Sequence, residues 1–240
     1  MTVDASLPLV VGMATMPTRA QSLPLALNSL LPQVDRLYLY LDGHTEIPAI
    51  ARENSKITLL SSHMTPNLHG AGKFLGLLHE AEPCLFAGAD DDIVYPSDYL
   101  RRMREELLRC ESPVAVGFHG VVLHQTMESY RRDRQVFAFG DALEAGCAVD
   151  VLGSGTILFN TAQLRFDVRA WPEINMTDLQ LALEARWAGV RLRCLPRSAC
   201  YLQPTAVQQE DSIYAGLLKD ESRQTRVAQQ LIAMKRRDPS

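Results

Sequence analysis

Three adjacent carboxylates, Asp90, Asp91 and Asp92, end an apolar run in LFAGADDDIV (85–94), and no cation lies within those ten residues. Neighbouring like charges repel, so the cluster calls for a counter-charge from elsewhere. Oxygen-only donors suit a hard divalent cation such as Mg²⁺ or Mn²⁺, held through one or two carboxylates and completed by water and substrate phosphates. A solvated turn that caps the next helix is the plain alternative. Other polar residues stand at the ends of apolar runs. Arg19 in TMPTRAQS offers a planar cation for phosphate, and Lys73 in GAGKFLGLL offers an ammonium beside helix N–H groups. Asp42 precedes Gly43, as a turn acid or a base-recognising one. Asp178 follows Thr177 at the start of a helical pattern, where the pair reads equally as a helix start with the acid favoured by the dipole.

The elements that must position these residues alternate between strand and helix. LPLVVGMA (7–14) reads as a buried parallel strand, and LPLALNSLL as a helix with Pro24 in its first turn. DRLYLYLDG (35–43) and KITLLSS read as the second and third strands, GAGKFLGLLHEAE (70–82) as an amphipathic helix and CLFAGA (84–89) as the fourth strand. Such β-α-β alternation implies a mostly parallel sheet with helices on both faces, whose ligands bind beyond the carboxyl ends of the strands. Asp42 and the Asp90–Asp92 cluster fall at such ends and are expected to line one crevice. PSDYLRRMREELLRC reads as a helix with Ser97 as N-cap. Short strands follow in PVAVGFHGVVLH, RQVFAFG, VDVLG and GTILFN, then a helix in MTDLQLALEARWAG and a strand in VRLRCLP. One domain is expected over 1–240, with a nucleotide-type half (1–110), a mixed half (111–205) completing the same sheet, and a helical, strongly polar C-terminal tail (206–240).

Composition excludes several classes. Apolar residues make up 47% and charged residues 22% of the 240-residue chain, the balance of an ordinary globular domain. A net charge of −4 gives no case for nucleic acid. No apolar run approaches the ~18 residues of a membrane span, and MTVDASLPLVVGMA lacks the basic start of a signal peptide. The five cysteines form no C-x-x-C, against a zinc site, and their odd number speaks against a complete disulfide framework. The expected setting is cytoplasmic, or peripheral at the inner face of a membrane, with the oligomeric state open.

Several segments in order resemble the GT-A nucleotide-sugar glycosyltransferases, particularly family-2-like enzymes. VVGMATMPTR is similar to their first strand and nucleotide loop, LYLYLDG to the second strand, GAGKFLGLL to the glycine-rich helix start, and ADDDIVYPSDYL to the D-x-D segment. The resemblance spans roughly residues 8–200. It implies a metal-dependent transferase moving a sugar from a nucleoside diphosphate, UDP-linked in the first instance, onto a saccharide or lipid-linked acceptor. Donor contacts are implied at Thr15, Pro17, Arg19, Asp42, Lys73, Asp90 and Asp91, with Mn²⁺ or Mg²⁺ on Asp90 and Asp92. Asp178 is implied as the general base of an inverting reaction, with Glu173 in reserve and Glu184 expected on the surface. VLGSGTILFN resembles the segment lining the acceptor pocket, where Gly153 and Gly155 allow close approach. Trp171 is read as a sugar-stacking or core ring, His119 as a polar structural residue, Asp211 as a late candidate ligand, and Lys235, Arg236 and Arg237 as a solvated basic end. The alternatives are a nucleotidyltransferase, which would need a glycine-rich loop after the first strand, and an aspartate-dependent phosphatase, which matches D-x-D-x-V but would need further acids downstream.

Overall fold

Val10, Tyr38, Tyr40, Phe86 and Phe159 pack into one apolar cluster, while Val11, Leu37, Leu39, Leu85, Ala87 and Leu158 pack into another. Consecutive strand residues point to opposite faces, so this alternation describes a sheet buried on both sides. The computed structural model describes residues 6–52, 54–64, 67–205 and 221–237. Its strands are β1 (Leu9–Thr15), β2 (Arg36–Leu41), β3 (Ile57–Ser61), β4 (Leu85–Asp90), β5 (Ile93–Val94), β6 (Val114–Gly117), β7 (Gly120–Leu123), β8 (Arg134–Phe137), β9 (Cys147–Val149), β10 (Val151–Leu152), β11 (Thr156–Asn160), β12 (Arg191–Cys194) and β13 (Gln203–Pro204). The helices are α1 (Leu23–Leu30), α2 (Ala49–Arg52), α3 (Tyr99–Arg109), α4 (Thr177–Trp187) and α5 (Ser222–Arg237).

Eight strands form one sheet in the order β3-β2-β1-β4-β11-β6-β12-β9. β3, β2, β1 and β4 run parallel, β11 is antiparallel to both its neighbours, and β6 pairs parallel with β12. The chain steps outward from β1 through β2 to β3, then returns to place β4 on the other side of β1. That reversal opens a crevice at the carboxyl ends of β1 and β4. Smaller sheets join β10-β7-β8 and β13-β5. α1 and α3 bury their apolar faces in the cluster of Val11 and Leu39, while α4, α5 and the 70s segment lie on the opposite face.

Three local expectations change. The segment 70–82 is a ten-residue 3₁₀ helix, His69–Leu78, rather than an α-helix. Glycine explains its seat: a Cβ on Gly12 would lie 1.8 Å from the Lys73 carbonyl oxygen, so the segment presses directly onto β1. The residue preceding α3 is Asp98, not Ser97, and its carboxylate accepts from the Tyr201 hydroxyl at 2.9 Å. The C-terminal segment is helical but not a solvated tail. Ala228, Leu231 and Ile232 of α5 are buried, Lys235 Nζ donates to Asp150 Oδ1 at 2.8 Å, and Arg236 donates to the Gln125 carbonyl. Asp211 and much of the tail lie outside the described residues. All five cysteines are free, and no described helix is long and apolar enough to cross a membrane.

Candidate active site

Asp90 is the last residue of β4 and shares a sheet face with Phe86 and Gly88, the face on which the 3₁₀ helix lies. Lys73 reaches up from that helix to make a short ion pair with Asp90 Oδ1. The counter-charge missing from the sequence run is therefore supplied from seventeen positions upstream. Lys73 was expected near a helix N-terminus, open to phosphate; it is instead buried at 5% exposure. Burial opposes its charge, but the charge and hydrogen bond of Asp90, backed by Asp178 and Asp91, hold the ammonium above the ordinary lysine value. Tyr95 fixes the strand end from the other side. Asp90 N–H donates to the buried Tyr95 hydroxyl at 2.8 Å, and that hydroxyl donates to the Gly155 carbonyl at 2.8 Å. A Cβ on Gly155 would lie 1.8 Å from Asp90 Oδ2, so any side chain there would displace that carboxylate.

Asp91 is different. It is 7% exposed, and its Oδ2, like the Thr15 hydroxyl, is buried without a hydrogen-bond partner. Arg19 Nε stands 3.9 Å from its Oδ1, longer than a hydrogen bond. Burial pushes the Asp91 carboxyl up to about 7, and the charges of Asp92 and Asp90 add to this, against the Thr15 hydroxyl and Arg19. Asp92 leads into β5, and its carbonyl accepts from Thr205 N–H at 2.7 Å. Asp42 follows β2. Its N–H donates to the Thr15 carbonyl, and its Oδ2 lies 3.2 Å from His69 Nδ1.

Asp178 sits in the first turn of α4, and its Oδ1 accepts the Ser154 N–H at 2.8 Å. That bond fixes the carboxylate beside the Gly153–Gly155 turn that precedes β11. Thr15, Arg19, Asp42, Lys73, Asp90, Asp91, Asp92 and Asp178 all line one cavity of about 400 Å³. Pro17 starts the 3₁₀ turn that carries Arg19 and is not part of the lining. Glu173 pairs with Arg223 and does not line the cavity either. Glu184 is not a plain surface acid: it accepts from Trp171 Nε1 at 2.9 Å, and burial raises its pKa. Trp171 stacks on Phe166 in the core and does not line the cavity. His119 does not line the cavity, and burial lowers its pKa. Residues that sequence reasoning passed over complete the wall: His69, Tyr130, Ser154, Asn175 and Gln224. Only Ser154 carried a signal, lying within the glycine-bearing segment.

Among the described residues, no group of three or more His, Cys, Asp or Glu side chains forms a ready metal cage. A hard cation that draws most of its ligands from phosphate and water needs only one or two carboxylates. The unpartnered Asp91 Oδ2, next to Asp92 on the same cavity, fits that incomplete kind of site.

No family model and no curated protein sequence matches this chain. Its structure is similar to the mannosyltransferase PcManGT from Pyrobaculum calidifontis in complex with GDP-Man and Mn²⁺, with TM-score 0.54 and 13% identity, over 96% of this chain and 72% of that one. Glucosyl-3-phosphoglycerate synthase from Mycobacterium tuberculosis, in complex with Mn²⁺ and UDP-glucose, matches with TM-score 0.38 and 17% identity, over 47% of this chain and 43% of that one. The match thus spans less than half of the synthase's length. The galactosyltransferase LgtC, in complex with donor and acceptor sugar analogs, matches with TM-score 0.38 and 14% identity, over 77% and 72%. At such identities the likeness to the mannosyltransferase establishes the fold: a mixed, mostly parallel α/β sheet of the GT-A kind.

Proposed function

We propose that this chain is a glycosyltransferase that moves a sugar from a nucleoside diphosphate, with UDP as the first choice of nucleotide, to an acceptor hydroxyl on a saccharide or a lipid-linked saccharide. One observation carries the reading. The acids and cations at the ends of β1, β2 and β4 share a single cavity with the carboxylate at the start of α4. The mannosyltransferase of similar fold was crystallised with GDP-Man and Mn²⁺, which supports a nucleotide sugar and a divalent cation here.

In this reading Asp42, Thr15 and Arg19 hold the nucleotide end, and Asp90, fixed by Lys73 and Tyr95, orients the ribose and diphosphate. Asp90 and Asp92 would hold Mn²⁺ or Mg²⁺, with the unpartnered Asp91 Oδ2 beside them. The cation would offset the negative charge growing on the departing diphosphate. Asp178, already held by Ser154 N–H, takes the proton from the acceptor hydroxyl as its oxygen bonds to the sugar's anomeric carbon. The bond from that carbon to the diphosphate oxygen breaks, and its electron pair leaves with the diphosphate. Attack from the face opposite the leaving group inverts the anomeric centre. A nucleotidyltransferase is disfavoured because β1 runs into Met-Pro-Thr-Arg rather than a glycine-rich phosphate loop.

The test is thermal unfolding with UDP or GDP, with and without Mn²⁺. Stabilisation of about 2.7 kcal/mol at a hundredfold excess over Kd is expected with metal and nucleotide together, and its loss is expected in Asp92→Asn. Indifference to every nucleotide would sink the reading.

A further inference from the structure

Helical periodicity points to one residue that does not belong where it is. In α5, positions 224, 228, 231 and 232 form one stripe, and Ala228, Leu231 and Ile232 are buried in the apolar cluster beside α4. The first position of that stripe should be apolar. It is Gln224, 6% exposed, with its side-chain Oε1 buried and without a hydrogen-bond partner. A buried carboxamide left unsatisfied is costly, and native proteins rarely keep one without a use. Gln224 lines the same cavity as Asp178 and Tyr130.

Bonds from Glu221, just before α5, and from the adjoining face of α5 fix the turn of helix that carries Gln224. Glu221 accepts from Ser129 Oγ at 2.6 Å and from Arg131 N–H at 2.9 Å. Thr225 Oγ1 accepts from Tyr130 N–H at 3.1 Å, and Gln229 Nε2 donates to the Met127 carbonyl at 2.8 Å. The spacing 221, 225, 229 is one helical stripe, so the segment 127–131 is stitched along α5 turn by turn. The Arg134 guanidinium lies 4.2 Å over the Tyr130 ring and braces it from behind. The backbones that carry Gln224 and Tyr130 are thus held together on the α4 side of the cavity, remote in the chain from the Thr15, Asp42 and Asp90 end.

We infer that Gln224 is an acceptor-binding residue, and that it receives neighbouring hydroxyls of a saccharide unit while Asp178 takes the proton of the attacking one. This rests on the glycosyl-transfer reading. A carboxamide both donates and accepts, which matches the donor and acceptor character of adjacent sugar hydroxyls. It carries no charge, so it matches a phosphate poorly.

The experiment compares the wild type with Gln224→Leu and Gln224→Glu in three measurements. The ligand-free unfolding midpoint should rise by about 2–4 °C in Gln224→Leu, because an unsatisfied polar group is exchanged for an apolar one of similar size. Hydrolysis of UDP-glucose and GDP-mannose, in which water replaces the acceptor, is measured for each protein, and its transfer rate is read as a ratio to its own hydrolysis rate. Transfer to p-nitrophenyl glycosides of glucose, galactose, mannose and N-acetylglucosamine should fall at least about tenfold in kcat/KM in Gln224→Leu, mainly through KM, and less in Gln224→Glu. A lower midpoint in Gln224→Leu, or undiminished transfer, would overturn the assignment. A wild type that hydrolyses a donor but glycosylates none of these compounds would overturn the saccharide class. No donor hydrolysis by the wild type would count against the glycosyl-transfer reading itself, and the midpoint would still decide whether Gln224 serves a ligand or the fold.

Discussion

The two ends of the cavity are built by different means. The end proposed to hold the nucleotide is a product of strand order: Thr15, Asp42 and Asp90–Asp92 are the ends of three neighbouring parallel strands, and register alone brings them together. The end proposed to receive the acceptor is borrowed from separate segments, with Tyr130 from a loop, Ser154 from the turn before β11, Asp178 from α4 and Gln224 from α5. Charge differs as well. At the nucleotide end anions and cations face one another, as in Lys73 with Asp90; at the acceptor end most of the lining is neutral and polar. A sheet can place charges by topology, whereas a neutral recognition surface has to be assembled by side-chain stitching between helices and loops.

Four substitutions sharpen or break that contrast. The largest effect is expected from Asp178→Asn, which keeps an acceptor for Ser154 N–H but cannot take a proton. Transfer should fall about 10²–10⁴-fold while nucleotide binding by calorimetry stays unchanged. Equal loss of nucleotide binding would mean the two ends are not separable. Asp90→Ala comes next. It leaves the Lys73 ammonium buried without its main partner, and urea unfolding should report a loss of about 3 kcal/mol. Lys73→Met should be milder, because the Asp90 it leaves behind has 38% side-chain exposure. At the seam between the ends, Gly155→Ala forces the Asp90 carboxylate to move and should cost about 1–3 kcal/mol. A Gly155→Ala protein as stable as wild type would show that the seam yields freely.

The remaining effect concerns pH. The Asp91 carboxyl has its pKa raised by burial to about 7 in the folded state. Between the ordinary carboxylate value and 7, the folded state retains a proton that the unfolded chain has lost. Asp91 therefore lowers stability as pH rises through that window, by up to about 1.4 kcal/mol per unit, and adds no slope above it. Asp91→Asn should flatten this part of the stability–pH curve in the ligand-free protein. An unchanged slope would assign the effect to other groups.

The nucleotide end was legible in the sequence for a physical reason. Continuous apolar runs define buried parallel strands, and polar residues at their ends must meet wherever those strands are neighbours. Hence the strand positions and the shared crevice of Asp42 and Asp90–Asp92 follow from pattern. What pattern could not give was the partner of Asp90, because the 3₁₀ path of 69–78 depends on the missing side chain of Gly12 and not on apolar spacing. Glu184 was misread because its partner, Trp171, lies outside the helix that carries it. Gln224 was invisible for a related reason. A glutamine in a polar C-terminal stretch looks solvated until the stripe it heads is seen to be buried, and an unsatisfied group exists only in three dimensions.

The stitching of α5 to the segment 127–131 also imposes an order of events during biosynthesis. The strand ends that form the nucleotide end are complete once Asp92 has been translated, whereas Gln224 follows some 130 residues later. At about 5–20 residues per second, that is a delay of roughly 6–26 s. During that interval a nascent chain can present its acidic cluster while lacking the far wall of the cavity.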